Sequence, residues 1–246
     1  MPLTLVTGGT RGIGAATALQ LAERGHDLVL GYHRDRTAAE QTAAAVRARG
    51  VRCSIVPGDL ADPADVDALF AATAGPDPVT GVVNNAGATL HMAALADTPV
   101  EVIRRTVEVN LTSALLVARA GVRAMARSHG GAGGVLVNVS SAAATLGSPG
   151  EYVQYAAAKA GVDTLTSGLA QEVAHDGVRV VGVAPGIVDT RIHADAGDAG
   201  RVERVGRAVP LGRAGSVDEI AAAVVWLMSE AASYVTGTTL RVAGGR

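Results

Sequence analysis

The chain has 246 residues, 18% of them charged, and a formal net charge of −2; an α/β chain of this length commonly forms one domain with a large core. Acidic and basic residues are interspersed, which leaves no electrostatic footprint for nucleic acid or an anionic membrane and points to a small neutral or anionic substrate. One cysteine, Cys53, excludes an intrachain disulfide and a thiolate cluster, and the six histidines show no HxxxH spacing, so no metal is expected.

The start, "MPLTLVTGG", runs straight into a strand without a basic leader, and no apolar run reaches the ~18 residues of a membrane span, so a soluble cytoplasmic protein is expected. The first strand, Leu3 to Thr7, ends in Thr7-Gly-Gly-Thr-Arg-Gly-Ile-Gly14 and passes into the helical run "AATALQLAERG". Such a turn aims backbone N–H groups and a helix N-terminus at a pyrophosphate. Gly8, Thr10, Arg11, Gly12, Ile13 and Gly14 are therefore candidate dinucleotide contacts, on a GxxxGxG turn longer than the common GxGxxG.

The second strand, Asp27 to Gly31, is followed by Tyr32-His33-Arg34-Asp35. An acid at the end of this strand binds a ribose 2′-hydroxyl. Tyr32 stands there instead, and Arg34 together with Arg11 offers two guanidiniums to a 2′-phosphate, with His33 beside them. NADP(H) is expected over NAD(H), unless Asp35 rather than Arg34 faces the ribose.

Five more strands are expected: Val51 to Val56, with Cys53 as a core residue, Gly81 to Asn84, Gly134 to Val139, Val178 to Val183 and Thr238 to Val242. Several strands are apolar at successive positions, the pattern of a parallel sheet covered by helices on both faces. The fourth runs on into "VVNNAG", Val82 to Gly87, where an open parallel sheet places its ligand crevice. The fifth follows the surface loop "SHGGAGG" and runs into Ser140 and Ser141 at the same edge. Helix starts are expected at Thr98-Pro99-Val100-Glu101, at Ser148-Pro149-Gly150-Glu151 and at Ser216-Val217-Asp218-Glu219, each with a capping-box pattern. Residues 189–210, polar, glycine-rich and weakly periodic, are expected to form a mobile flap over the site.

On the helix expected from Ser148, Tyr155 and Lys159 are one turn apart, with about 6 Å of rise. Tyr152 is about 10.5 Å from Lys159 along the axis. A free phenol titrates near pKa ~10, and a nearby ammonium lowers that value toward working pH. Tyr155 rather than Tyr152 is thus the candidate proton donor; Tyr152 lines the substrate cleft or packs at the helix start, and both readings stay open. From Tyr155 to Ala174 the helix carries an apolar stripe of Val162, Leu165, Leu169 and Val173. A second stripe of small residues, Ala157, Gly161, Thr164 and Gly168, suits a subunit contact or a neighbouring helix.

Thr7 to Gly14, Asn84-Asn-Ala-Gly87, Asn110, Ser141, Tyr155-xxx-Lys159 and Pro185-Gly186 together resemble the short-chain dehydrogenase/reductase family, and the likeness runs nearly end to end, through Pro210 to Gly237. The resemblance implies one Rossmann-type α/β domain over 1–246, a three-layer αβα sandwich around a doubly wound seven-stranded parallel sheet in the order 3-2-1-4-5-6-7. It implies Tyr155 as general acid for carbonyl reduction and base for alcohol oxidation, Lys159 lowering its pKa and holding the nicotinamide ribose, and Ser141 binding the substrate oxygen. Asn110 would anchor a water that relays protons to Lys159. Asp59 and Leu60 would border the adenine, Asn85, with Ala86 and Gly87, the adenosine ribose, and Pro185, Gly186, Val188 and Thr190 the nicotinamide.

Ser141 is preferred to Ser140 for its place after "NVS". Ser141 precedes Tyr155 by one residue more than in many relatives, and "VAGG" near the C-terminus lacks a common acid. The activity implied is NADPH-dependent reduction of a carbonyl, most like the 3-oxoacyl-acyl-carrier-protein reductases, on a small or carrier-bound substrate. An alcohol or sugar dehydrogenase working with NAD(P)+ is the alternative. A non-catalytic dinucleotide sensor is the third reading, against which the complete Asn110, Ser141, Tyr155, Lys159 set argues. Similar proteins form tetramers, so a homotetramer, or a homodimer, is expected.

Overall fold

The computed structural model describes all residues except Pro76, Arg191, His193, Ala194, Asp195 and Ala199. All seven expected strands form: β1 (Leu3–Val6), β2 (Asp27–Tyr32), β3 (Cys53–Pro57), β4 (Val79–Asn84), β5 (Gly134–Val139), β6 (Val178–Pro185) and β7 (Thr239–Val242). They pair in parallel in the order β3-β2-β1-β4-β5-β6-β7.

The successive apolar residues explain the layers, because neighbours along a strand point to opposite faces. Val6, Leu30, Val83, Val137 and Val181 face one core, closed by α1 (Gly12–Ala22), α2 (Arg36–Arg47) and, towards the C-terminus, a helix at Val217–Met228. Leu5, Val29, Val82, Leu136 and Val180 face the other, closed by α3 (Pro63–Ala71), α5 (Ser113–Met125) and α7 (Val153–Val173). Between α3 and α5 runs α4 (Val100–Val107), joined to α5 by a π-helical segment at Glu108–Thr112. The short α6 (Ala143–Leu146) follows β5, α8 is Arg201–Gly206, and the Val217–Met228 helix is α9. Cys53 is buried, and burial pushes its thiol up to about 11, the behaviour of a core residue.

The sheet order reverses between β1 and β4, and the crevice at their C-terminal ends is where such folds bind ligands. The stripe of Val162, Leu165, Leu169 and Val173 packs inward. Of the small-residue stripe, Ala157, Thr164 and Gly168 are exposed, whereas Gly161 is packed, since a Cβ there would lie 2.9 Å from the Leu111 side chain. No helix of the described residues is long and apolar enough to cross a membrane.

One of the three expected helix starts forms as read, and two differ. Ser216 and Glu219 close a complete capping box on α9, with Glu219 N–H donating to Ser216 Oγ (3.2 Å) and Ser216 N–H to Glu219 Oε2 (2.8 Å). Thr98 does not cap α4, because its hydroxyl donates back to Ala94 O (3.0 Å) and Pro99 takes the capping position. Ser148 does not start α7, which begins at Val153. Gly147, Ser148 and Gly150 all have left-handed backbone (φ 73°, 46° and 73°), and a right-handed helix cannot propagate through them. Of the flap expected at 189–210, Arg191, His193, Ala194, Asp195 and Ala199 lie outside the described residues; α8 occupies part of the remainder.

Candidate active site

The glycine turn is built by hydrogen bonds between the ends of β1 and β4. Thr7 Oγ1 accepts from Asn85 N (2.8 Å) and Ala86 N (3.0 Å), and Asn85 Nδ2 donates to Thr7 O (3.0 Å) and Gly8 O (3.2 Å). Gly8 and Gly12 have φ of 58° and 51°, which glycine adopts without strain. Gly14, expected among the dinucleotide contacts, does not line the cleft. A Cβ there would lie 2.1 Å from Gly8 O and 2.7 Å from Asn85 Nδ2, so this glycine lets α1 pack directly under the turn.

The turn opens into one cleft of about 710 Å³. Every other expected site residue except Asn110 lines it: Gly8, Thr10, Arg11, Gly12 and Ile13; His33 and Arg34; Asp59 and Leu60; Asn85, Ala86 and Gly87; Ser141, Tyr155 and Lys159; Pro185, Gly186, Val188 and Thr190. At the rim beyond β2, Asp35 caps α2 by accepting from Ala38 N (3.0 Å), and its other oxygen lies 3.7 Å from Arg11. That carboxylate is held by the helix start and by Arg11, and Arg34 and Asp35 both line the rim.

Asp59 pairs with Arg105 of α4, a cleft-lining residue that the sequence did not reveal because no local spacing links it to Asp59. Burial raises the Asp59 carboxyl, but hydrogen bonds from Ala61 N and Arg105 outweigh this and hold it below its ordinary value. Across the cleft, Thr190 faces the turn, its methyl 3.5 Å from where a Cβ on Gly12 would stand.

At the other end, a buried polar ladder fixes the catalytic candidates. Asn84 Nδ2 donates to Asn138 Oδ1 (3.0 Å) and Asn138 Nδ2 to Thr166 Oγ1 (2.9 Å), tying β4, β5 and α7 together. Ser140 turns inward, its hydroxyl donating to Lys159 O (3.2 Å). Ser141 Oγ accepts from Ala143 N (3.1 Å), lines the cleft with Tyr155 and opposes the upward shift of its phenol, so the second serine is the one that acts on the proton donor.

Lys159 is buried and donates from Nζ to Val139 O (2.8 Å), with the ammonium 5.8 Å from the Tyr155 ring centre. Asn110 sits buried in the π-helical segment, where its Oδ1 accepts from Ala88 N (3.1 Å) and its Nδ2 donates to Ala88 O (2.8 Å) and Thr106 O (2.9 Å). Both amide protons are spent on backbone, so the side chain positions the Gly87–Ala88 segment. A Cβ on Gly87 would lie 2.8 Å from Asn110 Oδ1 and 3.3 Å from Lys159 Nζ, so only glycine leaves the cleft open there.

The electrostatics correct one expectation. Burial pushes the Tyr155 phenol up to about 12, with Ser141 opposing and Tyr152 reinforcing the shift, and burial brings Lys159 down to about 8. Desolvation dominates at both groups. At neutral pH the pair is a neutral phenol beside a charged lysine, which is a proton donor with a cation ready to stabilise the phenolate it leaves.

Tyr152 also lines the cleft, its ring 5.5 Å from that of Tyr155 and nearly perpendicular to it. Arg201 of α8 reaches it from the substrate side, in a stretch where the sequence offered no periodicity to single out an arginine. Leu90, Leu146, Ile187 and Ile192 supply apolar wall nearby.

The family model described as Enoyl-(Acyl carrier protein) reductase matches residues 8–246. The chain is 44% identical to an uncharacterized oxidoreductase, YgfF, of Escherichia coli K12, over all of both chains. It is 38% identical to an L-rhamnose 1-dehydrogenase (NAD(P)(+)) of a Sphingomonas species, covering 98% of this chain and 94% of that one. To a 3-oxoacyl-[acyl-carrier-protein] reductase of Synechocystis it is 36% identical, covering 99% and 96%. A solved short chain dehydrogenase of Burkholderia cenocepacia in complex with NADP superposes with a TM-score of 0.88 at 30% identity, over 99% of this chain and 97% of that one.

Proposed function

Because the chain belongs to the short-chain dehydrogenase/reductase family and is an oxidoreductase of CH–OH and C=O groups, we propose that it reduces a ketone to a secondary alcohol with NADPH. A 3-oxoacyl thioester is the first candidate substrate class. The observation that carries the direction is the neutral buried phenol of Tyr155, with Ser141 and the charged Lys159 beside it. The L-rhamnose 1-dehydrogenase likeness favours, as a second reading, oxidation of a sugar by the same groups, with Tyr155 as base.

The residues present fit a nicotinamide dinucleotide. Gly8, Gly12 and Gly87 leave a cradle that side chains would fill or strain, and Arg11, His33 and Arg34 form a basic rim at the β2 end. Bound there, the nicotinamide supplies the hydride. Ser141 then orients the carbonyl oxygen and Tyr155 donates its phenolic proton to that oxygen as negative charge develops on it. Lys159, held by Val139 O, stabilises the phenolate that remains. Asn110 keeps the Gly87–Ala88 backbone in place beside Lys159.

Arg34 and Arg11 at the β2 end, with Asp35 drawn to the α2 start and to Arg11, support NADPH over NADH. Titration with the two cofactors is expected to give at least tenfold tighter NADPH binding, on the order of one charge-assisted hydrogen bond. Arg34→Ala and Arg11→Ala should each erode that preference while leaving NADH affinity unchanged. Tighter binding of NADH by the wild type contradicts the assignment. Ketones, acyl thioesters and sugars assayed in both directions separate the two readings, and oxidation of sugars without reduction of any ketone would favour the second.

A further inference from the structure

Three side chains at the substrate end of the cleft form a unit that the proton-transfer chemistry above does not use. Arg201, the first residue of α8, is 2% exposed. Its guanidinium makes a two-pronged ion pair with Glu151 and donates from Nη2 to the Tyr152 phenol oxygen (2.7 Å), with its central carbon 5.0 Å from the Tyr152 ring centre. Its Nε is buried without a partner. A buried charge with an unsatisfied N–H is destabilising in itself, which argues that the position serves the cleft.

The consequence falls on Tyr152. A phenol has one proton to give and lone pairs to receive. Arg201 occupies the accepting side of Tyr152, and among the described residues nothing accepts its proton. A buried tyrosine hydroxyl ordinarily finds an acceptor. Tyr152 lines the cleft in edge contact with Tyr155, their ring centres 5.5 Å apart. Because the two rings are 5.5 Å apart and line one cleft, a substrate held by its carbonyl oxygen at Tyr155 and Ser141 lies beside Tyr152 as well.

We propose that Tyr152, fixed by Arg201 and Glu151, donates a hydrogen bond to a second substrate oxygen on the carbon next to the reacting one. This rests on the carbonyl-reductase reading and, within it, moves the substrate class away from 3-oxoacyl thioesters, whose carbon next to the ketone carries no oxygen, to vicinally oxygenated compounds: 2-hydroxyketones and 1,2-diketones in reduction, 1,2-diols in the reverse direction. Tyr152 is the specificity residue; Arg201 and Glu151 are positioning residues that act through it.

Calorimetric titration of the enzyme–NADPH complex with cis-cyclohexane-1,2-diol and with cyclohexanol reads this recognition without turnover. The wild type is expected to bind the diol about tenfold more tightly, the scale of one hydrogen bond. Tyr152→Phe, which keeps the ring packing, should lose that preference and bind cyclohexanol as the wild type does. Arg201→Gln, which keeps the phenol but removes its donor, should lose part of it. Equal affinities in the wild type, or full preference retained in Tyr152→Phe, overturns the proposal. Reduction of cyclohexanone by NADPH is assayed separately: its failure beside an intact diol preference counts against the reductase reading, whereas robust turnover without a diol preference counts against Tyr152.

Discussion

Tyr155→Phe is expected to lower kcat/KM for carbonyl reduction by about 10²- to 10⁴-fold, the range contributed by a positioned general acid, while NADPH affinity stays that of the wild type. The split follows from the geometry. The phenol ring packs against Tyr152 and Ala156 in a small cluster, and the hydroxyl faces Ser141 in the cleft. Phenylalanine keeps the packing and removes only the proton. Steady-state kinetics with a fluorescence titration of the cofactor checks both halves, and a variant that keeps most of its activity contradicts the assignment of Tyr155.

Lys159→Met is expected to lower kcat/KM by about 10²-fold or more, the scale of one buried electrostatic contact to developing charge, and to melt no lower than the wild type. The second half follows from linkage. The folded pKa of Lys159 lies near 8, below its ordinary 10.5, so between these values the unfolded chain binds more protons than the folded one and stability rises with pH. Below about pH 8 the folded protein carries the full cost of a desolvated ammonium. Methionine removes that cost and fills similar volume, though it leaves Val139 O without its donor. In the wild type, reductase activity should fall as pH rises through about 8, where Lys159 loses its charge, although Tyr155 remains protonated toward about 12. A flat profile between pH 7 and 9, or a marked loss of stability in Lys159→Met, contradicts this account of the lysine.

Much of the fold was legible because the central strands are buried on both faces and therefore apolar at successive positions. Val82 and Val83, or Leu136 and Val137, announce two cores at once. The Ser216 capping box was legible because all its bonds are local. Thr98 and Ser148 carry the same letters and fail, the first because an upstream carbonyl claims its hydroxyl, the second because the loop before α7 holds it at positive φ. Gly14 reads as a ligand contact from its motif, and the structure adds a packing reason for glycine there, since a Cβ would strike Gly8 O and Asn85 Nδ2.

The candidate site was legible where strand ends and helix spacing fix it, as with Tyr155, Lys159 and the glycine turn. The preference for Ser141 over Ser140 came from its place after "NVS", and the hydroxyls agree with it: Ser140 donates to Lys159 O, whereas Ser141 Oγ accepts from Ala143 N. Arg105 and Arg201 were not legible, because each acquires its partner only through tertiary packing: Asp59 is 46 residues from the first, and Tyr152 is 49 from the second. The upward direction of the Tyr155 shift was not legible for a related reason: spacing shows that an ammonium is near, and only the packed site shows how thoroughly both groups are removed from water.

The central claim about this cleft is that it moves a hydride and a proton together. Incubation with NADPH deuterated at nicotinamide C4 and a ketone, read by mass spectrometry of the alcohol, tests it most directly. The expected result is deuterium on the carbinol carbon of the product, formed by the wild type and nearly lost in Tyr155→Phe. Firm NADPH binding with no deuterium in any product, across ketones and acyl thioesters, would contradict it.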